Sequence, residues 1–146
     1  MITRRDAIGA LTLLLPLLAS DSEAQPTQST VTSVFKHDLP NLTMDGWEVT
    51  VNYVDYAPGR ASAAHRHPGF VLAYVLEGAV VTKISDQGDE KTYTAGQMFY
   101  EQPGATHEVS RNASQTQPAK LLAMIFAKKG STLTTLGPAG TGRGGA

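Results

Sequence analysis

The sequence predicts an all-β domain, either a barrel or a sandwich built from short strands. Apolar and polar residues alternate with the two-residue period of a β-strand, and no run shows the period of a helix. Turns that contain glycine or proline separate the runs at nearly even intervals. Many short strands with this punctuation are typical of closed or two-layered β-architectures.

The strands are assigned in order along the chain. In the first run, Val49, Val51 and Tyr53 share one face, and Pro58-Gly59 follows it as a turn. The second run, 65–77, is apolar on both faces, which is typical of a strand that is covered on both sides. The predicted strands span residues 48–56, 65–77, 79–84, 91–94, 97–101, 107–111 and 120–127.

The N-terminal segment is predicted to be a signal peptide, residues 1–24. Arg4 and Arg5 precede thirteen mostly apolar residues, 7–19, and small residues follow at positions 22 and 24. This apolar run is shorter than the roughly 20 residues of a membrane span. The paired arginines resemble a twin-arginine export signal. We therefore expect a periplasmic or secreted protein, cleaved near Ala24, with no membrane attachment after cleavage.

The rest of the chain divides by composition. Residues 25–33 are rich in Ser, Thr and Gln and are interpreted as a linker. Residues 34–130 hold the predicted strands and form the barrel domain. Residues 131–146 are predicted to be a flexible tail, since five of the last ten are glycine.

Charge and cysteine content exclude several classes of function. The 146 residues carry a formal net charge of −1 with no basic stripe, so no nucleic-acid partner is expected. The chain has no cysteine, which excludes disulfides, thiolate catalysis and thiolate metal sites.

Three of the four histidines form a candidate metal site. His65 and His67 are two residues apart, so in a strand they point into the same space. His107 follows the Pro103-Gly104 turn and is the candidate third ligand. His37 lies in a charged segment and is interpreted as a surface residue. The alternative is that the three histidines are polar residues lining a barrel that binds no metal.

Two motifs at these residues resemble those of the cupin family. The first spans Gly59, His65, His67 and Gly78, and the second spans Gly96, Gly104 and His107. Pro103 and Asn112 are each one residue later than in the family pattern. The resemblance covers 59–112 and, through the strand pattern, about 35–130. It implies a double-stranded β-helix, that is, a small jelly-roll barrel with a metal ion in its mouth.

The family's metal-binding glutamate would fall at position 71, where this chain has Val71. Three neutral imidazoles around one divalent transition-metal ion suit Fe, Cu, Ni or Zn better than Mn or Mg. Glu101 or Gln102 is an open alternative for a fourth ligand.

Similarity to three-histidine cupin dioxygenases implies a metal-dependent enzyme that acts on a small organic substrate. The alternative is a non-catalytic module that binds or senses a small molecule, with or without metal. Candidate pocket residues are Val71, Ala73, Phe99 and Tyr100. The apolar outer face of 70–76 predicts a homodimer, and coverage of this face by residues 31–35 of the same chain is the alternative.

Overall fold

Ten β-strands lie in the computed structural model, which describes residues 29–137. The predicted signal peptide, residues 25–28 of the linker and residues 138–146 of the tail lie outside the described part. The strands are β1 (Trp47–Tyr56), β2 (Ala61–Ser62), β3 (His65–Arg66), β4 (Phe70–Glu77), β5 (Ala79–Ile84), β6 (Lys91–Thr94), β7 (Met98–Glu101), β8 (Thr106–Asn112), β9 (Ala119–Lys128) and β10 (Thr135–Leu136).

The strands form two antiparallel sheets that face each other. The first has the order β1-β9-β4-β7, and the second has the order β10-β3-β8-β5-β6, with β2 also paired to β8. Consecutive strands alternate between the sheets in places, for example where β3 passes to β4, so the chain winds around one common interior. This arrangement confirms the predicted all-β jelly-roll barrel.

The predicted strand 65–77 is divided in the structure. His65 and Arg66 pair in the second sheet, whereas the chain from Phe70 onward pairs in the first. Pro68 has no N–H to donate, and a side chain at Gly69 would overlap the main-chain carbonyl of Phe126. The prediction of one continuous strand was wrong because this Pro-Gly pair moves the chain from one sheet to the other.

The interior is filled by inward-facing side chains of both sheets. Alternate residues of β4 are buried, namely Val71, Ala73 and Val75. Ala73 packs in one hydrophobic cluster with Phe99 on the neighbouring strand and Ile84 from the opposite sheet. The burial of alternate residues is what a closed sheet with one inner face requires.

Ordered structure extends beyond residue 130. Thr135 and Leu136 form β10, which pairs with Arg66 and His65, so the first part of the predicted tail belongs to the second sheet. Composition could not indicate this pairing, because the glycines that suggested a tail lie mostly after residue 137. Within residues 29–137 there is no helix long and apolar enough to span a membrane.

Candidate metal centre

The three predicted histidines lie together at one end of the interior. His65 and His107 are directly opposite each other in the β3–β8 pair, so their side chains share a face. The ring centroids of His65 and His107 are 5.1 Å apart, and those of His65 and His67 are 5.0 Å apart. All three side chains line the same cavity.

Main-chain carbonyls fix the tautomers of two of these rings. Nδ1 of His65 donates to the carbonyl oxygen of Ala63 over 2.8 Å, and Nδ1 of His67 donates to that of Leu133 over 2.7 Å. A carbonyl oxygen can only accept, so Nδ1 carries the proton in both rings. When these imidazoles are neutral, the lone pair is on Nε2. Metal-binding histidines usually make an outer hydrogen bond of this kind.

His107 is the deepest of the three rings, with 4% of its side chain exposed. Its Nδ1 lies 3.1 Å from Oε1 of Glu101, but the contact is not aligned well enough to count as a hydrogen bond. Both ring nitrogens are therefore buried without a hydrogen-bond partner among the described residues. Such groups are rare in folded proteins and call for an ion, a water or a ligand.

Glu101 brings a carboxylate to the cluster, with 6% of its side chain exposed. Burial alone would raise the pKa of this carboxyl, but His107, His67 and His65 lower it below its usual value. For His65 the balance of effects lowers the pKa: burial is the largest cause and the two other histidines add to it, against the hydrogen bond to Ala63. The cluster therefore combines an ionised carboxylate with an imidazole that is kept neutral.

The spacing of the rings fits a single metal ion. With a metal–nitrogen distance of about 2.1 Å, two imidazoles on one tetrahedral ion have centroids about 5 Å apart. In the part of the chain that the structure describes, no group of three or more His, Cys, Asp or Glu side chains is placed so that it could hold a metal ion with its present side-chain positions.

A cavity of about 140 Å³ adjoins the histidines between the two sheets. Val71, Ala73 and Phe99, three of the predicted pocket residues, line it. Tyr100 does not, and its assignment to the pocket is corrected. Neighbouring residues of a strand point to opposite faces, so Tyr100 lies on the outer face, where its ring centroid is 4.1 Å from that of His37 and the two ring planes are tilted by 33°.

The same alternation separates the two candidates for a fourth ligand. Glu101 faces the cavity, whereas Gln102 does not line it. The sequence alone does not indicate which of these two residues points into the barrel, because both directly precede the turn.

Polar residues that the sequence analysis missed lie deeper in the cavity. The pairing of β5 with β8 shifts between Lys83 and Ile84, and this irregularity allows His107 and Ser110, three residues apart, to face the same interior. The Ser110 hydroxyl lies 2.6 Å from that of Tyr56, which Ser62 also contacts at 3.3 Å. Simple alternation along the strand would have placed Ser110 outside.

The chain matches the Cupin domain family (Cupin_2) over residues 52–125, which is 74 of its 146 residues. That span contains the three histidines, Glu101 and most of both sheets. The chain belongs to the cupin family. A search of curated proteins finds no match.

Solved structures show the same fold at low sequence identity. An oxalate oxidase in complex with the substrate analogue glycolate is 20% identical, with a TM-score of 0.51, over 73% of this cupin and 62% of that chain. The oxalate decarboxylase of Lactobacillus farciminis, in a formate complex, is 17% identical, with a TM-score of 0.52, over 60% and 26%. The polyketide cyclase RemF of Streptomyces resistomycificus is 18% identical, with a TM-score of 0.50, over 60% and 59%. This cupin spans less than two thirds of each of these chains.

Proposed function

We propose that this cupin is a metal-binding protein that holds one divalent transition-metal ion with His65, His67 and His107. The supporting observation is the common arrangement of the rings around one end of the cavity. Carbonyl oxygens hold Nδ1 of His65 and His67, which leaves Nε2 of each as the donor atom. Among the described residues Nε2 of His107 has no hydrogen-bond partner, and Nδ1 has only the 3.1 Å contact with Glu101. Nitrogen donors of this kind suit Fe, Cu, Ni or Zn.

The reaction that we propose is dioxygenase-like oxidation of a small organic substrate. A redox-active ion bound here would supply the oxygen chemistry. The protein would supply a sheltered cavity of about 140 Å³, well below the roughly 300 Å³ of the smallest drug-sized pockets. Ala73 and Phe99 exclude water from its wall, and the hydroxyls of Tyr56 and Ser110 can orient a polar substrate group.

A non-catalytic binding or sensing module is the second candidate. The composition of the cavity favours it, because no lysine or arginine occurs among the residues that line the cavity in the described part of the chain. Apart from the histidines, Glu101 and Tyr56 are the ionisable groups there. A cavity with few reactive groups is suited to holding a small ligand without turning it over.

Metal analysis tests the site directly. We expect about one ion per chain in the purified protein, and loss of this ion in His65→Ala, His67→Ala and His107→Ala. His37→Ala is the matched control, because His37 is exposed and outside the cavity. Wild-type metal content in two of the three cavity variants would rule out the assignment. Stoichiometric Fe or Cu, with oxygen consumed in the presence of a substrate, would favour the enzyme over the binding module.

We further propose that the protein is exported to the periplasm or secreted. The proposal rests on the paired arginines and the apolar run of residues 1–24, which lie outside the described residues. The mass of the protein recovered from the periplasm and the medium tests it. A chain that begins at Gln25 is expected, and an uncleaved chain confined to the cytoplasm would contradict it.

A homodimer is the proposed assembly. The outer face of 70–76, from which it was predicted, is largely covered within the subunit, since Phe70 is 2% exposed and Leu72 and Tyr74 are half-buried. The exposed apolar side chains of the first sheet lie on β1 instead. On β1, Val49, Val51 and Tyr53 are 49%, 53% and 69% exposed. Among the described strands β1 pairs only with β9, so it is an edge strand with a free side. Phe35 and His37 stack near Tyr100, at the opposite edge of this sheet, while Val34 is 64% exposed. The N-terminal residues of the same chain therefore cover the sheet near β7 and leave the outer face of β1 exposed.

A further inference from the structure

Glu101 lies opposite Val71, the position at which the cupin motif has a metal-binding glutamate. Val71 and Glu101 are direct partners in the β4–β7 pair, so both side chains point into the same part of the interior. We propose that the Glu101 carboxylate is the fourth protein ligand of the metal ion, supplied from the neighbouring strand in place of a carboxylate at position 71. This inference rests on the proposed metal site.

Glu101 lies within reach of the three histidines. Its Oε1 lies 3.1 Å from Nδ1 of His107, and all three histidines lower the pKa of its carboxyl. The carboxylate and the three rings line the same cavity. Two ligand atoms bound about 2.1 Å from one ion at a right angle lie about 3 Å apart, so a carboxylate oxygen at this distance from a ring nitrogen can share an ion with that ring.

Among the described residues no lysine or arginine forms an ion pair with Glu101. Every other ion pair in residues 29–137 uses a different carboxylate, and the contact with His107 is the one charged contact of Glu101. Isolated buried charges cost several kcal/mol unless they are paired, hydrogen-bonded or bound to a metal. A divalent ion among the three neutral imidazoles would provide the missing positive charge.

A carboxylate ligand would change both the net charge of the site and its preference among metal ions. Three neutral imidazoles leave a divalent ion with its full charge of +2, and a carboxylate reduces the net charge of the site to +1. Carboxylate oxygen is a harder ligand than imidazole nitrogen, so it favours Mn(II) more than Ni(II). Glu101 should therefore set the selectivity of the site as well as its affinity.

The test compares the affinities for Mn(II) and Ni(II) in the metal-free full-length protein. Binding of each ion is measured by calorimetric titration in the wild type, in Glu101→Gln and in Glu108→Gln. Glutamine keeps the size of Glu101 and removes its charge. Glu108 is the matched control, because it is next to His107 but exposed and paired with Lys83. Melting curves of the metal-free proteins verify that all three are folded.

We expect Glu101→Gln to weaken Mn(II) binding roughly 100-fold and Ni(II) binding by roughly tenfold or less. Glu108→Gln should change neither affinity. A parallel loss for both ions would mean that Glu101 acts only through His107, and would overturn the proposal, as would unchanged affinities. Failure of the wild type to bind either ion would instead reject the metal site itself.

Discussion

The main-chain carbonyl of Leu133 accepts a hydrogen bond, 2.7 Å long, from Nδ1 of His67. The same segment pairs with the strand of His65, since Leu136 lies opposite His65 in the β10–β3 pair. Thr134, between these two residues, lines the cavity. A stretch near the C-terminus therefore orients two of the candidate metal ligands and forms part of the wall of the site.

Removal of this stretch should weaken metal binding. A chain that ends at Gly130 lacks the carbonyl that fixes the His67 ring and the strand that pairs with His65. Outer-shell contacts of this kind change metal affinity by about 10–100-fold, and a loss in that range is expected. Titration of the metal-free protein with Ni(II) measures it.

The matched control is a chain that ends at Gly137, which retains β10 and the Leu133 carbonyl. Its Ni(II) affinity should equal that of the full-length protein. Equal affinities for all three lengths would mean that His67 is positioned without Leu133.

Acidification should destabilise the metal-free protein through His65. Burial, as the largest cause, holds the pKa of His65 below the usual 6.5 in the folded state. The unfolded chain therefore takes up a proton at higher pH than the folded chain does. Stability is complete above about pH 6.5 and is lost as the pH falls from there to the folded-state pKa.

Melting temperatures between pH 7.5 and pH 5 measure this effect. The wild type should lose more stability than His65→Asn over this interval, and His37→Asn should behave as the wild type. Identical pH profiles for the wild type and His65→Asn would show that His65 is not the responsible group.

The fold could be predicted from the sequence because its main determinants are local. Strand periodicity and turn residues gave seven runs that correspond to the main strands, and the spacing of Gly59, His65 and Gly78 added the resemblance to a family. What the sequence could not supply was the division at Pro68-Gly69. The reason is the close approach of Phe126, a residue almost sixty positions away.

The candidate site was predictable for the histidines and much less so for their surroundings. His65 and His67 are two residues apart, so their shared face follows from strand geometry alone. Glu101 is thirty residues from Val71, and only the pairing of β4 with β7 places them side by side. Tyr100 was assigned to the pocket together with Phe99, although adjacent strand residues cannot both face inward. Leu133 acts through its carbonyl, which side-chain patterns do not indicate.

Asn112 is expected to be essential for stability rather than for metal binding. Its buried amide nitrogen lies 3.2, 3.2 and 2.8 Å from the carbonyl oxygens of Tyr56, Ala57 and Gln117, and its side-chain oxygen accepts from the amide of Ser114. Asn112→Ala leaves these groups without a partner, at a cost of about 3 kcal/mol in the free energy of unfolding.

Urea unfolding measures the change, and Asn41→Ala is the exposed control, for which a change within about 0.5 kcal/mol is expected. A loss below 1 kcal/mol in Asn112→Ala would show that water replaces the side chain at little cost.

The homodimer is expected to form through the outer face of the first sheet. Val49, Val51 and Tyr53 lie opposite Phe126, Met124 and Leu122, and this places apolar side chains in adjoining rows across β1 and β9. Water contact with these rows is unfavourable, and two-fold pairing of two copies is the commonest way in which soluble proteins remove it. The free edge of β1 allows the two sheets to continue into each other. Light scattering on the chain of residues 25–146 should give twice the subunit mass at micromolar concentration.

Val51→Glu places a charge at the centre of this face and should shift the mass to that of a monomer. Thr92→Glu, on an exposed position of β6 in the other sheet, should remain a dimer. A wild type with the mass of a single 122-residue chain would exclude the dimer. A dimer that persists in Val51→Glu and dissociates in Thr92→Glu would place the contact on the second sheet instead.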